Sequence, residues 1–185
     1  MAIEIEKKYV LDKKMLVEYT ARLAELGATF TGEVFEENYL HRGGVLDGKP
    51  AVLRLRKTGE KTILTYKERV AVEGDFKHQI EFETGITDVD ATENIIQKLG
   101  YKLAVIYEKH RKSWHLDKVE VVLDELPFGY YMEIEGEIDD IEKAEKLLGA
   151  DKLQPEPRGY PGLTLKYGKR VKGVMESRFR KKTAA

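Results

Sequence analysis

The chain has 185 residues, enough for one domain with a sizeable core, and 35% of them are charged although the net charge is only -1. That balance excludes a globally basic nucleic-acid binder, and the absence of cysteine excludes a disulfide framework, a thiol nucleophile and cysteine-ligated zinc. No long apolar run, signal peptide or lipidation motif occurs, which makes the cytoplasm the default location, and no membrane partner is expected. Any electrostatic function must come from how acids and bases are sorted in space.

The sorting begins three residues into the chain. A two-residue period over Glu4-Ile5-Glu6-Lys7-Lys8 puts Glu4, Glu6 and Lys8 on one strand face and Ile3, Ile5 and Tyr9 on the other. A helix follows, capped by Asp12, striped by Leu16, Tyr19, Leu23 and Leu26, and ended by Gly27. Residues 33 to 41 read as a strand whose Phe35, Glu37, Tyr39 and His41 share a face, broken by Gly43-Gly44. Residues 51 to 56 set Leu53 and Leu55 against Arg54 and Arg56. The turn Thr58-Gly59-Glu60 leads into a strand with Lys67 and Thr65 on one face and Leu64 and Tyr66 on the other.

Residues 69 to 78, with Gly74, read as a long loop able to cover a mouth of the structure. Next, Ile80 and Phe82 alternate with Gln79, Glu81 and Glu83. A second helix, capped near Asp88, carries Ile95, Ile96 and Leu99 on its apolar face and ends at Gly100. A strand over 105 to 116 places Lys109 and Arg111 together and Trp114 on the apolar side. Its hairpin partner, Val119 to Leu126, carries Asp124, and Tyr130 to Glu135 sets Glu133 and Glu135 against Met132 and Ile134. A third helix is predicted from Ile141 to Leu148, ending at Gly149. The stretch from Gln154, rich in proline and glycine, reads as irregular but dockable through Tyr160, Leu163 and Leu165. One domain over 1–170 and a basic tail over 171–185, helical or frayed and including Arg178, Arg180, Lys181 and Lys182, complete the division. The four histidines show no metal-ligand spacing.

The apolar faces of eight strands match the stripes of three helices, so helices are expected to cover the greasy side. An open sheet would leave the charged faces as solvated surface. A closed one would line its interior with them, in numbers whose desolvation exceeds what mutual ion pairs could offset. Partners from outside are then required: a hard divalent cation such as Mg²⁺ or Mn²⁺ for the carboxylates, phosphate oxygens for arginine and lysine. A metal-bound polyphosphate satisfies both.

Glu4-x-Glu6-x-Lys8, Tyr39, Leu53-Arg54-Leu55-Arg56, Lys67, Glu81-x-Glu83, Lys109-x-Arg111, Asp124 and Glu133-x-Glu135, in that order, resemble the CYTH superfamily, also called triphosphate tunnel metalloenzymes. The resemblance implies an α+β fold: a closed eight-stranded antiparallel β-barrel, a tunnel with a charged interior and flanking helices. It implies phosphate contacts from Lys8, Arg54, Arg56, Lys67, Lys109 and Arg111, and metal coordination by Glu4, Glu6, Asp124, Glu133 and Glu135. Glu81 and Glu83 are supporting acids, and Glu4 and Glu6 the candidate catalytic carboxylates. The implied activity is a metal-dependent triphosphatase acting on inorganic or organic triphosphate. A class IV adenylyl cyclase and a non-catalytic triphosphate-binding module are the alternatives. A triphosphate-containing small molecule is the expected partner, with no DNA, and the protein is a monomer or homodimer. Two departures, His41 after the aromatic segment and Gly159-Tyr160 where many relatives have Ser-Tyr, bear on the mouth of the tunnel and hence on substrate choice.

Overall fold

A computed structural model describes residues 3–59, 61–71 and 75–180. Its strands are β1 (Ile3–Leu11), β2 (Thr29–Arg42), β3 (Ala51–Thr58), β4 (Lys61–Val70), β5 (Lys77–Ile86), β6 (Lys102–Leu116), β7 (Val119–Leu126), β8 (Gly129–Glu135), β9 (Lys169–Val171) and β10 (Val174–Ser177). The helices are α1 (Lys13–Glu25), α2 (Val89–Lys98), α3 (Ile138–Leu148) and α4 (Tyr160–Tyr167). The first eight strands run in the order β2-β3-β4-β5-β1-β8-β7-β6, and an antiparallel pairing of β2 with β6 closes the ring. Closure removes the open-sheet alternative. Alternation must now send one face of every strand into the lumen and the other outward.

The helix termini follow from their caps. Asp12 accepts from the Met15 amide at 2.7 Å and Asp88 from the Ala91 amide at 2.8 Å, while Gly149 ends α3 in the left-handed conformation at φ 73°. The main core lies outside the barrel, where Leu23 of α1 and Ile141 and Leu148 of α3 pack on the outward Tyr9, Trp114, Val121, Met132 and Ile134. Trp114 is therefore a packing residue, as its alternation indicates.

Helical cover is uneven. Over β1 and β6–β8 the expectation holds, but Phe82 remains 55% exposed, and in α2 only Ile96 is buried while Ile95 and Leu99 face solvent. The ten residues of α2 are held to the barrel by Ile96 and by a 2.9 Å contact from Glu93 Oε1 to His41 Nε2. Its apolar stripe is wider than the surface it meets. Leu165, expected to pack with Tyr160 and Leu163, is likewise exposed.

The chain beyond Gln154 is more regular than expected. Pro161 stands in the first turn of α4, where its missing amide hydrogen costs nothing and its fixed φ suits a helix. Tyr160 and Leu163 then bury with Leu40, Val105, Tyr107, Leu126 and Tyr131 at one end of the barrel. The tail is neither helical nor frayed through Ser177: β9 and β10 form a hairpin, and β10 pairs in parallel with β6 at Val105–Tyr107. β6 is 15 residues long and pairs with β7 only from His110, so its first half offers a free edge that β10 takes. Lys181 and Lys182 lie outside the described residues.

The loop predicted over 69 to 78 is shorter. β4 continues to Val70 and β5 starts at Lys77, with Val70 opposite His78. Gly74 of that loop, and Glu60 of the earlier turn, lie outside the described residues.

Candidate active site

The barrel encloses a cavity of about 830 Å³ lined by the charged strand faces. From β1 come Glu4, Glu6 and Lys8; from β3, Arg54 and Arg56; from β4, Lys67; from β5, Glu81 and Glu83. β6 contributes Lys109 and Arg111, and β8 contributes Glu133 and Glu135. Asp124 of β7 is fully buried against Arg111. The charged residues picked out by period two on β1, β3, β4, β5, β6 and β8 thus meet in one lumen. Tyr39 and His41 do not: they face outward, Tyr39 between Lys57 and Arg178, and His41 against Glu93. The departure at His41 therefore concerns the docking of α2. Gly159 and Tyr160 do line the cavity, at the end closed by α4.

Contrary to the expectation of unpaired lumen charges, each of these cations has an acid partner. Arg111 donates from Nε to Asp124 Oδ1 at 2.8 Å and from Nη2 to Asp124 Oδ2 at 2.6 Å and Glu133 Oε2 at 2.5 Å. Lys8 lies 2.9 Å from Glu133, Lys109 at 3.3 Å from Asp124, Lys67 at 2.9 Å from Glu81, Arg56 at 3.0 Å from Glu83, and Arg54 at 3.4 Å from Glu83. The register causes this, since Lys8 stands opposite Glu133, Arg111 opposite Asp124 and Lys67 opposite Glu81. An incoming anion must exchange with these carboxylates rather than meet bare cations.

Pairing leaves specific gaps. Among the described residues, buried polar atoms without a hydrogen-bond partner include Arg54 Nε, a donor, and Glu4 Oε2, an acceptor, both at the lumen. Lys67 Nζ does contact Glu4 Oε2, but out of hydrogen-bond alignment. A buried donor without a partner, as at Arg54 Nε, is costly unless a ligand completes it.

Two further lumen residues, Glu36 and Lys77, escape the sequence reading, and Tyr160, expected to dock and to bear on the mouth of the tunnel, also bonds to a lumen acid. Glu36 lies on the β2 face opposite to Tyr39 and is buried 3.4 Å from Lys109. Lys77, within the stretch expected as loop, opens β5 and places Nζ 2.9 Å from Glu6 Oε1. Tyr160 donates to Asp124 Oδ2 at 2.6 Å, its ring face 3.6 Å from Lys8 Nζ and 5.1 Å from Lys109 Nζ. Strict alternation through β2 would have found Glu36. The other two depend on where a strand and a helix begin.

Electrostatics divide the acids into two groups. Burial opposes ionisation of Glu133, yet Lys8, Arg111 and Lys109 hold it well below the usual carboxylate range. For Glu6, burial and Glu133 act upward, but Lys77, Lys8 and Lys67 bring the net shift down. Glu135 goes the other way: burial, helped by Glu6 and Glu120, raises it despite a hydrogen bond with Glu4 and the charge of Lys67. Crowding of Glu4, Glu6 and Glu135 is chemistry that a hard divalent cation relieves. Asp124 and Glu133 are instead committed to cations. Among the described residues no group of three ligating side chains forms a ready-made cage.

Glu36 supplies a stability test. Burial would raise its pKa, but Lys109, Arg111, Arg56 and Arg54 bring it down to about 2. A depressed glutamate contributes stability that is complete above the unfolded value of about 4.5 and is lost as pH falls toward about 2. Glu36→Gln should remove on the order of 3 kcal/mol at neutral pH and flatten the decline of the thermal midpoint over that window. An unchanged acid slope in the variant would contradict the burial and pairing of Glu36.

Fold and lumen together define a closed antiparallel tunnel of the charged-interior type. The CYTH domain profile matches residues 2–160, and the chain belongs to that family. A Methanocaldococcus jannaschii protein provisionally named an adenylate cyclase is 29% identical over 149 residues, 79% of this chain and 83% of that one. Among solved structures, the PH1819 protein of Pyrococcus horikoshii OT3 superposes with a TM-score of 0.74 at 24% identity, covering 88% of this chain and 98% of its own. HpAC1 from Hippeastrum, described as a candidate adenylyl cyclase with a dominant triphosphatase activity, superposes with a TM-score of 0.66 at 17% identity, covering 93% and 98%. These structural likenesses concern the fold. No helix among the described residues is long and apolar enough to cross a membrane.

Proposed function

We propose that the chain is a divalent-metal-dependent triphosphatase that hydrolyses inorganic tripolyphosphate, or an organic triphosphate, inside the tunnel. The observation that carries this reading is the convergence of Lys8, Arg54, Arg56, Lys67, Lys109 and Arg111 on one lumen that also holds the crowded Glu4, Glu6 and Glu135. Cations spaced around a closed wall can hold successive phosphates of a chain, arginine through its fork and lysine as a point charge. On binding, phosphate oxygens would take over from Glu81, Glu83 and Glu133 as partners of Lys67, Arg56 and Lys8. Arg54 Nε would gain the acceptor that it lacks.

Glu4, Glu6 and Glu135 would hold Mg²⁺ or Mn²⁺, with Asp124 and Glu133 as the remaining acids of the family pattern. The ion supplies charge neutralisation and a more acidic water. Phosphoryl transfer otherwise asks for positioning and charge stabilisation. In this reading a carboxylate of the Glu4/Glu6 pair takes a proton from the attacking water as its oxygen bonds to the terminal phosphorus. The bond to the bridging oxygen breaks, and the negative charge gathering on the pyrophosphate is met by Lys8, Lys109 and Arg111.

The triphosphatase activity in the description of HpAC1 supports hydrolysis, while the cyclase name of the M. jannaschii relative favours cyclisation of ATP as the second reading. Phosphate release from tripolyphosphate should stop in excess chelator and return with Mg²⁺ or Mn²⁺, with Ca²⁺ serving poorly because its coordination is larger and looser. Full turnover in chelator would reject a metal-dependent hydrolase. A thermal shift with tripolyphosphate, with or without metal, and no phosphate release would indicate a binding module.

A further inference from the structure

Lys77 belongs to none of the motifs picked out in the sequence, yet it is 3% exposed and faces the lumen. It stands opposite Glu6 in the β1–β5 register, and among the described residues Glu6 is its one ion-pair partner. Lys67 is placed differently, because it touches Glu81 as well as Glu4 and keeps a partner when either is withdrawn. Lys8 likewise has Glu133. Lys77 also adjoins Lys8, so this buried ammonium depends chiefly on Glu6, and less on Glu133, for the neutralisation of its charge.

Glu6 is one of the carboxylates through which the tunnel would hold a divalent cation, a role that rests on the triphosphatase reading above. A dication at Glu6 repels the ammonium beside it. The freed side chain is still fixed to the β5 wall next to Lys8; the other carboxylate acting on it, Glu133, is already paired with Lys8 and Arg111, which leaves an anion in the lumen as the partner to receive it. We infer that Lys77 is an internal counter-ion for Glu6, displaced by the divalent cation and then received by a phosphate oxygen, so that metal and triphosphate bind cooperatively. Linkage makes the coupling reciprocal: whatever factor triphosphate adds to metal affinity, metal adds to triphosphate affinity.

The test is a titration of the full chain with Mn²⁺ alone, reading free Mn²⁺ by electron paramagnetic resonance, beside the KM for magnesium tripolyphosphate. With the competing ammonium removed, Lys77→Met should bind Mn²⁺ about tenfold more tightly while its KM rises about tenfold, and Lys77→Arg, which keeps the charge, should not gain Mn²⁺ affinity. Lys77→Gln repeats the comparison with a hydrogen-bonding side chain in case the methionine variant folds poorly. Opposite changes in the affinities for metal and for triphosphate are the signature, since damage to the fold would weaken both. Wild-type protein that binds both ligands, with neutral variants that match it or bind Mn²⁺ more weakly, would overturn this proposal alone. Wild-type protein that takes up neither Mn²⁺ nor magnesium tripolyphosphate would overturn the triphosphatase reading and this proposal with it.

Discussion

Arg111→Ala should lower kcat/KM for triphosphate by on the order of 10²-fold and destabilise the fold by about 3 kcal/mol. The double effect follows from its three hydrogen bonds: Arg111 ties Asp124 to Glu133 across β6, β7 and β8, and both acids are buried. Removing it leaves Asp124 with Lys109 and the Tyr160 hydroxyl, and Glu133 with Lys8. Those residual partners place the stability loss at the low end of the range for a broken buried pair. Arg111→Lys should recover part of the stability but little of the activity, because lysine restores the charge without the fork. Arg56→Ala is the contrasting control. Its partner Glu83 is partly exposed, so the variant should weaken triphosphate binding with little change in unfolding. Urea denaturation and steady-state kinetics on the three variants measure both effects, and an Arg111→Ala protein of wild-type stability would contradict the network.

Glu6→Gln should reduce kcat by on the order of 10²- to 10⁴-fold, whether the lost carboxylate acts on the water or holds the ion. The substitution preserves shape and hydrogen-bonding capacity but leaves Lys77 and Lys8 side by side without the charge between them. The KM for triphosphate should therefore stay level or fall, since two unneutralised ammonium groups favour an anion. A loss of affinity with kcat intact would place Glu6 among groups that bind the phosphate chain and remove it from the chemistry.

Much of the tunnel was legible because a strand that closes into a ring keeps its period. Glu4, Glu6, Lys8, Arg54, Arg56, Lys67, Lys109 and Arg111 reach the lumen by counting in twos, as do the acids of β5 and β8. Misreadings fall where the period is not the deciding signal. In β2 the aromatic Phe35 and Tyr39 mark the outward face, so the strongest local signal points away from Glu36. Lys77 is hidden because the residues between Val70 and Gln79 carry no apolar alternation, although β5 begins at Lys77 and pairs there with Glu6 of β1. α4 was masked by glycine and proline, which suit a helix entrance as well as a loop. The hairpin of β9 and β10 depends on a free edge of β6 some seventy residues earlier, which no local pattern reports. The pairing of lumen charges was missed for a related reason: it is set by register between strands, and periodicity fixes faces without fixing register.

The most direct test of the account is product analysis with Mn²⁺ and two substrates in parallel, tripolyphosphate and ATP. Hydrolysis needs only a water at the terminal phosphorus, whereas cyclisation needs the ribose 3′-hydroxyl aligned on the α-phosphorus by a pocket for the nucleoside. The account predicts orthophosphate and pyrophosphate from tripolyphosphate, with ATP cleaved slowly. Efficient formation of cyclic AMP and pyrophosphate from ATP, with tripolyphosphate left intact, would contradict it.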